Sequence, residues 1–243
     1  MCFNDAQYFE GFRISPDGKQ AAISLDRRLY VVPFDPNALA SVHDHSGLAA
    51  LNGCLTYTPI SAKSALWSKD GQKLAILYAL GQEDGRLADT IRVIDIHRCR
   101  AADPLVLDEF PATRFIPEGY TDNLSIPSFS WDGDSLFLFN TLKRNEGFGQ
   151  LYTYDLSSSQ NNKVNPIQGS CCYRDARFSP DGRFILFAFQ DLSKGEASTT
   201  VVYYIPFSQT GVAATTYTPI KLPPGFFTNP RERPQFALRP SAP

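Results

Sequence analysis

The 243-residue sequence predicts an all-β fold of the β-propeller class, built from four-stranded antiparallel blades. The main observation is a phrase that occurs four times, an apolar strand that ends in Asp-Gly. Its copies are Phe12–Gly18, Ala65–Gly71, Pro127–Gly133 and Ala176–Gly182. Each copy is followed by a β-rich run, and a unit of this size cannot bury its own hydrophobic face. The copies are therefore expected to stack on one another.

Alignment of the copies on Asp-Gly gives four strands, A to D, in each unit. They are predicted at 12–15, 20–25, 29–34 and 55–60; at 64–68, 73–80, 90–96 and 104–110; at 128–130, 135–142, 150–156 and 163–168; and at 177–179, 183–190, 200–207 and 215–222. Strand B is apolar at successive positions, as in 184–189, so both of its faces should be covered.

The turn between strands A and B is predicted to be a tight hairpin. Glycine adopts positive φ there, and aspartate hydrogen-bonds its own turn. The residues predicted to form these structural turns are Asp17, Gly18, Asp70, Gly71, Asp132, Gly133, Asp181 and Gly182.

The repeat predicts a single β-propeller domain over residues 1–243, with blades at about 8–60, 61–112, 124–168 and 173–222. The turn glycines are 53, 62 and 49 residues apart. A minimal blade has about 40–45 residues, so the surplus should lie in loops. One further inner strand, at 234–240, has no blade of its own. The chain is therefore expected to be part of a larger propeller, or to be completed by a second chain.

The phrase Phe-Ser-Pro-Asp-Gly, complete at 178–182, resembles the repeats of TolB-like (WD-repeat-like) β-propellers. The resemblance spans roughly residues 8–240, although Lys69 and Trp131 replace the proline and Ser241-Ala242 stand where the last Asp-Gly would be. It implies an architecture. Such blades occur in periplasmic scaffolds, in serine peptidases and in sugar-processing enzymes, so the fold alone does not define a function.

Composition narrows the choice of partners. The net charge of −2 and the pI near 5.9 provide no basic footprint, so no nucleic-acid partner is expected.

Apolar runs of about six residues are far below the roughly 20 that a transmembrane segment needs. Asp5, Glu10 and Arg13 interrupt any signal-peptide core. We expect an extracytoplasmic protein, periplasmic or secreted with its signal removed; a cytoplasmic protein is the alternative.

Sequence motifs for catalysis and for cofactors are missing. The chain has no Gly-x-Ser-x-Gly, no Gly-Lys-Ser/Thr loop, no His-Glu-x-x-His and no Cys-x-x-Cys. The sequence favours a non-enzymatic scaffold that binds a protein partner through its loop face, with no cofactor. The alternative is the propeller portion of a larger enzyme, such as a serine peptidase, whose catalytic part lies elsewhere. A third hypothesis is an enzyme that uses carboxylates and arginines of the central funnel.

Binding residues are expected on the loops that precede strands A, because function concentrates on loops held by a rigid scaffold. These loops and the B–C loops should surround the funnel, opposite the Asp-Gly turns and the C–D loops. The candidates are Tyr120, Asp122, Arg174, Asp175, Arg231 and Arg233. A solvated rim of salt bridges is the alternative for each of them.

A metal site is a further hypothesis, because the C–D loops of the first two units hold every histidine, and the second of these loops also holds Cys99. These residues are His43, His45, His97 and Cys99. Histidine and cysteine are zinc ligands, although surface loops also tolerate them without a metal. A disulfide between Cys54 and Cys99 is a competing use in an exported protein. The five cysteines, an odd number, leave at least one outside any pairing within the chain.

Overall fold

The computed structural model describes residues 9–51, 55–57, 62–96, 105–112, 114, 124–143, 149–164, 166–167, 173–191, 195, 199–208, 211–212 and 217–226. The chain divides into two compact units, residues 1–121 and 122–243. The interpretation of the whole chain as one domain remains a prediction. In the ranges just given, no helix has the length and apolar character needed to cross a membrane.

The first unit holds two blades, each a meander of four antiparallel strands. The first blade contains β1 (Phe9–Ile14), β2 (Gln20–Leu25), β3 (Arg28–Pro33) and β4 (Leu55–Tyr57). Between β3 and β4 lie two helices, α1 (Pro36–Ala40) and α2 (His45–Ala50). The second blade contains β5 (Ser64–Trp67), β6 (Lys73–Gly81), β7 (Leu87–Asp95) and β8 (Leu105–Phe110).

The two helices were not predicted, and local capping explains why they form. Asp35 accepts hydrogen bonds from two backbone N–H groups of α1, and Asp44 accepts one from the backbone of α2. Pro36 occupies the first turn of α1, where a missing donor is tolerated. Helices of five and six residues are too short to show an apolar period in the sequence.

The two faces of the first blade are buried by different elements. Ala22, Leu29 and Val31 form one core with Leu74 and Ile76 of the second blade. The opposite face, which includes Ile23 and Tyr30, packs against Leu39 of α1 and Leu48 of α2. Alternate side chains of a strand point to opposite faces, so β2 and β3 contribute to both cores.

The second unit holds the third and fourth blades. It begins with β9 (Leu124–Ser125), which pairs with the second strand of the third blade. The third blade contains β10 (Phe129–Trp131), β11 (Leu136–Lys143), β12 (Gly149–Asp155) and β13 (Gln160–Lys163). The fourth contains β14 (Tyr173–Phe178), β15 (Phe184–Gln190), β16 (Thr200–Ser208) and β18 (Thr218–Pro219), and the short β17 (Gly211–Val212) also pairs with β16. Leu138 and Leu151 of the third blade pack against Ile185 and Phe187 of the fourth.

The predicted all-β fold of four-stranded antiparallel blades is confirmed. Strand B was predicted to within one residue in every blade. Strand D of the third blade was predicted at 163–168 but is the polar β13, which pairs with β12 through its backbone and has no apolar alternation. The predicted extra strand at 234–240 lies outside the described residues.

Burial of strand B on both faces is confirmed in β2, β6 and β11, whereas Phe184 and Leu186 on one face of β15 are only half-buried. Ile76 of β6, Phe137 of β11 and Ile185 of β15 are each 0% exposed. These residues belong to the second strand of their blades. Protein interiors are closely packed, so a smaller side chain at any of them would leave a cavity.

We therefore expect Ile185→Ala to lower the free energy of unfolding by about 2–5 kcal/mol, because it removes buried methylenes and leaves a cavity. Chemical denaturation measures this value. The control Leu87→Ala, at a residue that is 40% exposed, should change stability by less than about 1 kcal/mol. Equal losses of stability in the two variants would contradict the burial of Ile185 in the core of the blade.

Candidate functional site

Three of the four Asp-Gly turns share one hydrogen-bonding pattern. In the fourth blade, the Ser179 hydroxyl donates to Asp181 Oδ1 at 2.5 Å, and the backbone N–H of Arg183 donates to the same oxygen at 3.1 Å. Asp17 and Asp70 accept the equivalent pair of bonds in the first two blades. The glycines Gly18, Gly71 and Gly182 have φ of 72°, 69° and 69°. Glycine adopts this left-handed conformation without steric strain.

The third turn is one residue shorter, since five residues separate the paired Trp131 and Phe137 whereas six separate Phe178 and Ile185 in the fourth blade. Gly133 also has a positive φ, 84°, but β11 begins three residues after it rather than two. Asp132 accepts hydrogen bonds from the backbone N–H groups of Asp134 and Leu136, both at 2.9 Å. The preceding serine, Ser130, accepts a bond from the Phe178 N–H at 3.3 Å and so links the third blade to the fourth.

These bonds favour the ionised form of the turn aspartates. The pKa of Asp181 falls from the ordinary 3.8 to about 2, first because of the Ser179 hydroxyl and then because of Arg183. The pKa values of Asp17 and Asp70 are also lowered, with the serine hydroxyl again the largest cause. The carboxylates therefore serve as structural acceptors within the turns.

Two of the six predicted rim residues, Arg174 and Asp175, lie on the inner strand of the fourth blade. The other four, Tyr120, Asp122, Arg231 and Arg233, lie outside the described residues. The pairing of β14 with β15 is irregular between Arg174 and Arg177. Asp175 has a φ of 45° at this irregularity. Its Oδ1 accepts hydrogen bonds from Nε and Nη2 of Arg177, at 3.2 and 3.0 Å.

The irregular segment is held from the neighbouring blade by Asn140. Its Oδ1 accepts a hydrogen bond from the backbone N–H of Ala176 at 3.2 Å, and the residue is 0% exposed. Its Nδ2 and the buried hydroxyl of Ser128 have no hydrogen-bond partner among the described residues. Extension of the β10–β11 register by one residue places Ser128 opposite Asn140. We call Arg174, Asp175, Arg177 and Asn140 the inner-strand site.

Arg174 has the same spacing from its turn glycine as Lys63 of the second blade but a different place in the sheet. Arg174 and Lys63 each stand eight residues before their turn glycine. Lys63 Nζ binds the buried carboxylate of Asp89 at 2.6 and 2.7 Å. In β14 the extra residue between Arg174 and Arg177 shifts the register, so Tyr173 rather than Arg174 takes the place that Lys63 has beside β6. The half-buried Arg174 guanidinium makes no hydrogen bond or ion pair in the part of the chain that the structure describes.

The predicted metal residues are only partly described. His97 and Cys99 lie outside the described residues, as do Cys54 and the other cysteines. His43 lies between the two helices, and His45 begins α2. Within the described ranges, no group of three or more His, Cys, Asp or Glu side chains is arranged to hold a metal ion. The metal site and the Cys54–Cys99 disulfide remain hypotheses.

His45 lies at the opposite end of the blade from its predicted place. It was expected near the Asp-Gly turns, but its Nε2 is 2.9 Å from Asp26 Oδ2 in the turn between β2 and β3. Its Nδ1 is 2.7 Å from the Tyr30 hydroxyl. Both ring nitrogens are therefore engaged, and a metal would have to displace one of these contacts. The helices cause the difference, because they carry the chain along the blade face.

The two-residue turn that His45 holds is unusual. Asp26 and Arg27 have φ of 47° and 66°, which is the pattern of a type I′ hairpin usually built from Asn-Gly. Asp26 and Arg27 separate two apolar runs in the sequence, so this turn had a detectable signal. The contact of Asn140 with Ala176 had no sequence signal, because it depends on the packing of two blades, and the Arg177–Asp175 pair had none, because it depends on the irregularity of β14.

Comparison with known proteins agrees with this geometry. Neither a protein-family model nor a curated protein matches the chain. A structure described as a TolB from Agrobacterium tumefaciens is 17% identical with a TM-score of 0.51, over 89% of this chain and 63% of that one. The Dos1 propeller is 13% identical with a TM-score of 0.54, over 90% and 50% of the two chains. The chain has TolB-like β-propeller repeats. It spans about half to two thirds of the length of these two structures.

We expect Gly182→Ala to reduce the free energy of unfolding by about 1–2 kcal/mol, because its φ of 69° is unfavourable for a residue with a Cβ. The added Cβ would meet no atom within 4 Å, so backbone strain is the whole cause. Urea denaturation measures the loss. The control is Gly81→Ala, where the Cβ also meets nothing but φ is not positive. A loss in the control as large as in Gly182→Ala would contradict the turn geometry.

The lowered pKa of Asp181 predicts a pH dependence of stability. Its stabilising effect should be complete above about pH 4 and should disappear as the pH falls towards 2, through the folded-state pKa. Thermal melts of the wild type and Asp181→Asn between pH 5 and 2 should therefore converge at the acid end. Ser179→Ala should raise the Asp181 pKa, which a carboxyl NMR titration reports. A constant difference across this range would contradict the assignment.

Proposed function

We propose that this chain is a non-enzymatic TolB-like propeller scaffold that binds a protein partner through the loop face of its blades. The observation that carries the proposal is that Arg174, on the inner strand of the fourth blade, has no hydrogen-bond or ion-pair partner among the described residues. A half-buried guanidinium presents five donors in a fixed fork and binds carboxylates in two-point contact. We propose that the partner supplies a carboxylate to Arg174.

The surroundings of Arg174 support a binding role. Arg177 already engages Asp175, the nearest acidic residue in sequence, so Asp175 is occupied. Bulges and residues with positive φ concentrate at functional sites, because the strain must be supported by the surrounding structure. Asn140 provides that support from the third blade. The inner-strand site is therefore rigid, which favours a binding anchor over a mobile salt-bridged rim.

An extracytoplasmic location and a protein partner accompany this proposal. One structural relative is described as a periplasmic gluconolactonase from Pseudomonas aeruginosa, with 16% identity and a TM-score of 0.51. At that identity the likeness concerns the fold.

The propeller portion of a larger enzyme is the second candidate. The observation in its favour is a TM-score of 0.54 to a prolyl endopeptidase, at 13% identity, in which this chain matches only 28% of the enzyme. An immunoblot of the native protein discriminates the candidates by molecular mass. A species larger than a propeller by the mass of a hydrolase domain supports the enzyme, whereas a propeller-sized species supports the scaffold.

Arg174→Ala should weaken binding at least about tenfold, because arginine anchors at interfaces commonly contribute more than 1.4 kcal/mol. The partner is first captured on the immobilised chain from a cell-envelope extract and identified by mass spectrometry. It is then purified and titrated against each variant by calorimetry.

Arg183→Ala is the matched control, because Arg183 belongs to the same blade but lies in the Asp-Gly turn at the other end of β14. The affinity of Arg183→Ala should stay within about twofold of wild type, and thermal melts should show that both variants remain folded at the temperature of the titration. The proposal is wrong if the two variants bind equally well, or if only Arg183→Ala weakens binding.

A further inference from the structure

The outer strand of the second blade carries an exposed apolar segment. Leu105, Val106 and Leu107 are consecutive residues of β8 and are 44%, 43% and 41% exposed. Among the described residues, the other exposed large hydrophobic side chains are isolated in sequence, at 14, 87, 217 and 226. Side chains alternate along a strand, so consecutive exposed residues mean that both faces of β8 reach solvent here.

The same segment forms an open sheet edge. Among the described strands, β8 pairs only with β7, on one side. The register shifts between Val93 and Ile94, so Leu107 is an extra residue in β8 with no partner in β7. An edge strand exposes a row of backbone N–H and C=O groups that another extended strand can pair with.

We propose that this edge pairs with the same edge of a second copy of the chain, antiparallel, with Val106 on the twofold axis. The pairing places Leu105 of one copy opposite Leu107 of the other, on each side of the axis. An isologous contact of this kind requires a self-complementary surface. Backbone edges are self-complementary when antiparallel, and the segment 105–107 carries no charge.

The charged residues that follow the segment do not oppose this pairing. Glu109 is bound by Arg92 and by the Tyr78 hydroxyl. Asp108 accepts a hydrogen bond from Arg114 Nη2 at 3.1 Å. Both carboxylates are therefore compensated within their own copy, which lowers the repulsion between two acidic strand ends.

The contact involves a short segment, so the dimer should be weak. A stable interface buries more than about 1,000 Å², and three residues on each side fall well below that area. A dissociation constant on the order of tens of micromolar or higher is expected. Sedimentation equilibrium of the full chain at concentrations from micromolar to near-millimolar covers this range.

The decisive variants change the residue on the twofold axis. Val106→Lys and Val106→Glu each place like charges opposite one another, so each should raise the dissociation constant at least tenfold. An equimolar mixture of the two should associate again, because lysine then faces glutamate. Ile14→Lys is the control, since Ile14 is also 43% exposed but lies in β1. It should dimerise like the wild type.

Hydrogen exchange provides a second measurement at the segment itself. The amides of 105–107 should exchange more slowly at high than at low protein concentration. A chain that stays monomeric throughout, or a dimer that the Val106 variants leave intact, would overturn the proposal. Binding of the proposed partner at Arg174 is measured separately, so a failure of one proposal is distinguishable from a failure of the other.

Discussion

Burial of strand B on both faces is the constraint on which the rest of this structure depends. The strands β2, β6, β11 and β15 are apolar at successive positions, and adjacent central residues of the first three are inaccessible to solvent, whereas one face of β15 is half-buried. A lone four-stranded sheet would leave both of its faces in water. Each blade therefore needs another blade, or an element such as α1 and α2, to cover its faces. The Asp-Gly turns join the inner strand of each blade to strand B.

The elements determined by local sequence were predictable. Strand B and the Asp-Gly turns depend on apolar runs and on the backbone freedom of glycine, and both signals are contained within a few residues. Strand D of the third blade depends on backbone pairing with β12, and its polar sequence carries no such signal. The two helices depend on caps at Asp35 and Asp44 and on a blade face that buries them.

The candidate site was predictable only in part. Arg174 and Asp175 were predicted on the loop ahead of strand A, but they lie within β14, because that strand begins at Tyr173 rather than at Arg177. The left-handed backbone of Asp175 could not be foreseen, because Arg177 and Asn140 stabilise it after the blades pack. Equal spacing from the turn glycine does not make Lys63 and Arg174 equivalent, because the extra residue of β14 shifts the strand register between them.

The helices α1 and α2 make the two faces of the first blade different. One of its faces accepts another sheet, whereas the other is already occupied by Leu39 and Leu48. Duplication of blades is the simplest route by which such arrays lengthen. A new blade inserted ahead of β1 would find its docking surface covered, and it would gain a neighbour only after the helical insertion had been removed. Growth of this array by duplication, in evolution or by design, is therefore blocked on that face of the first blade.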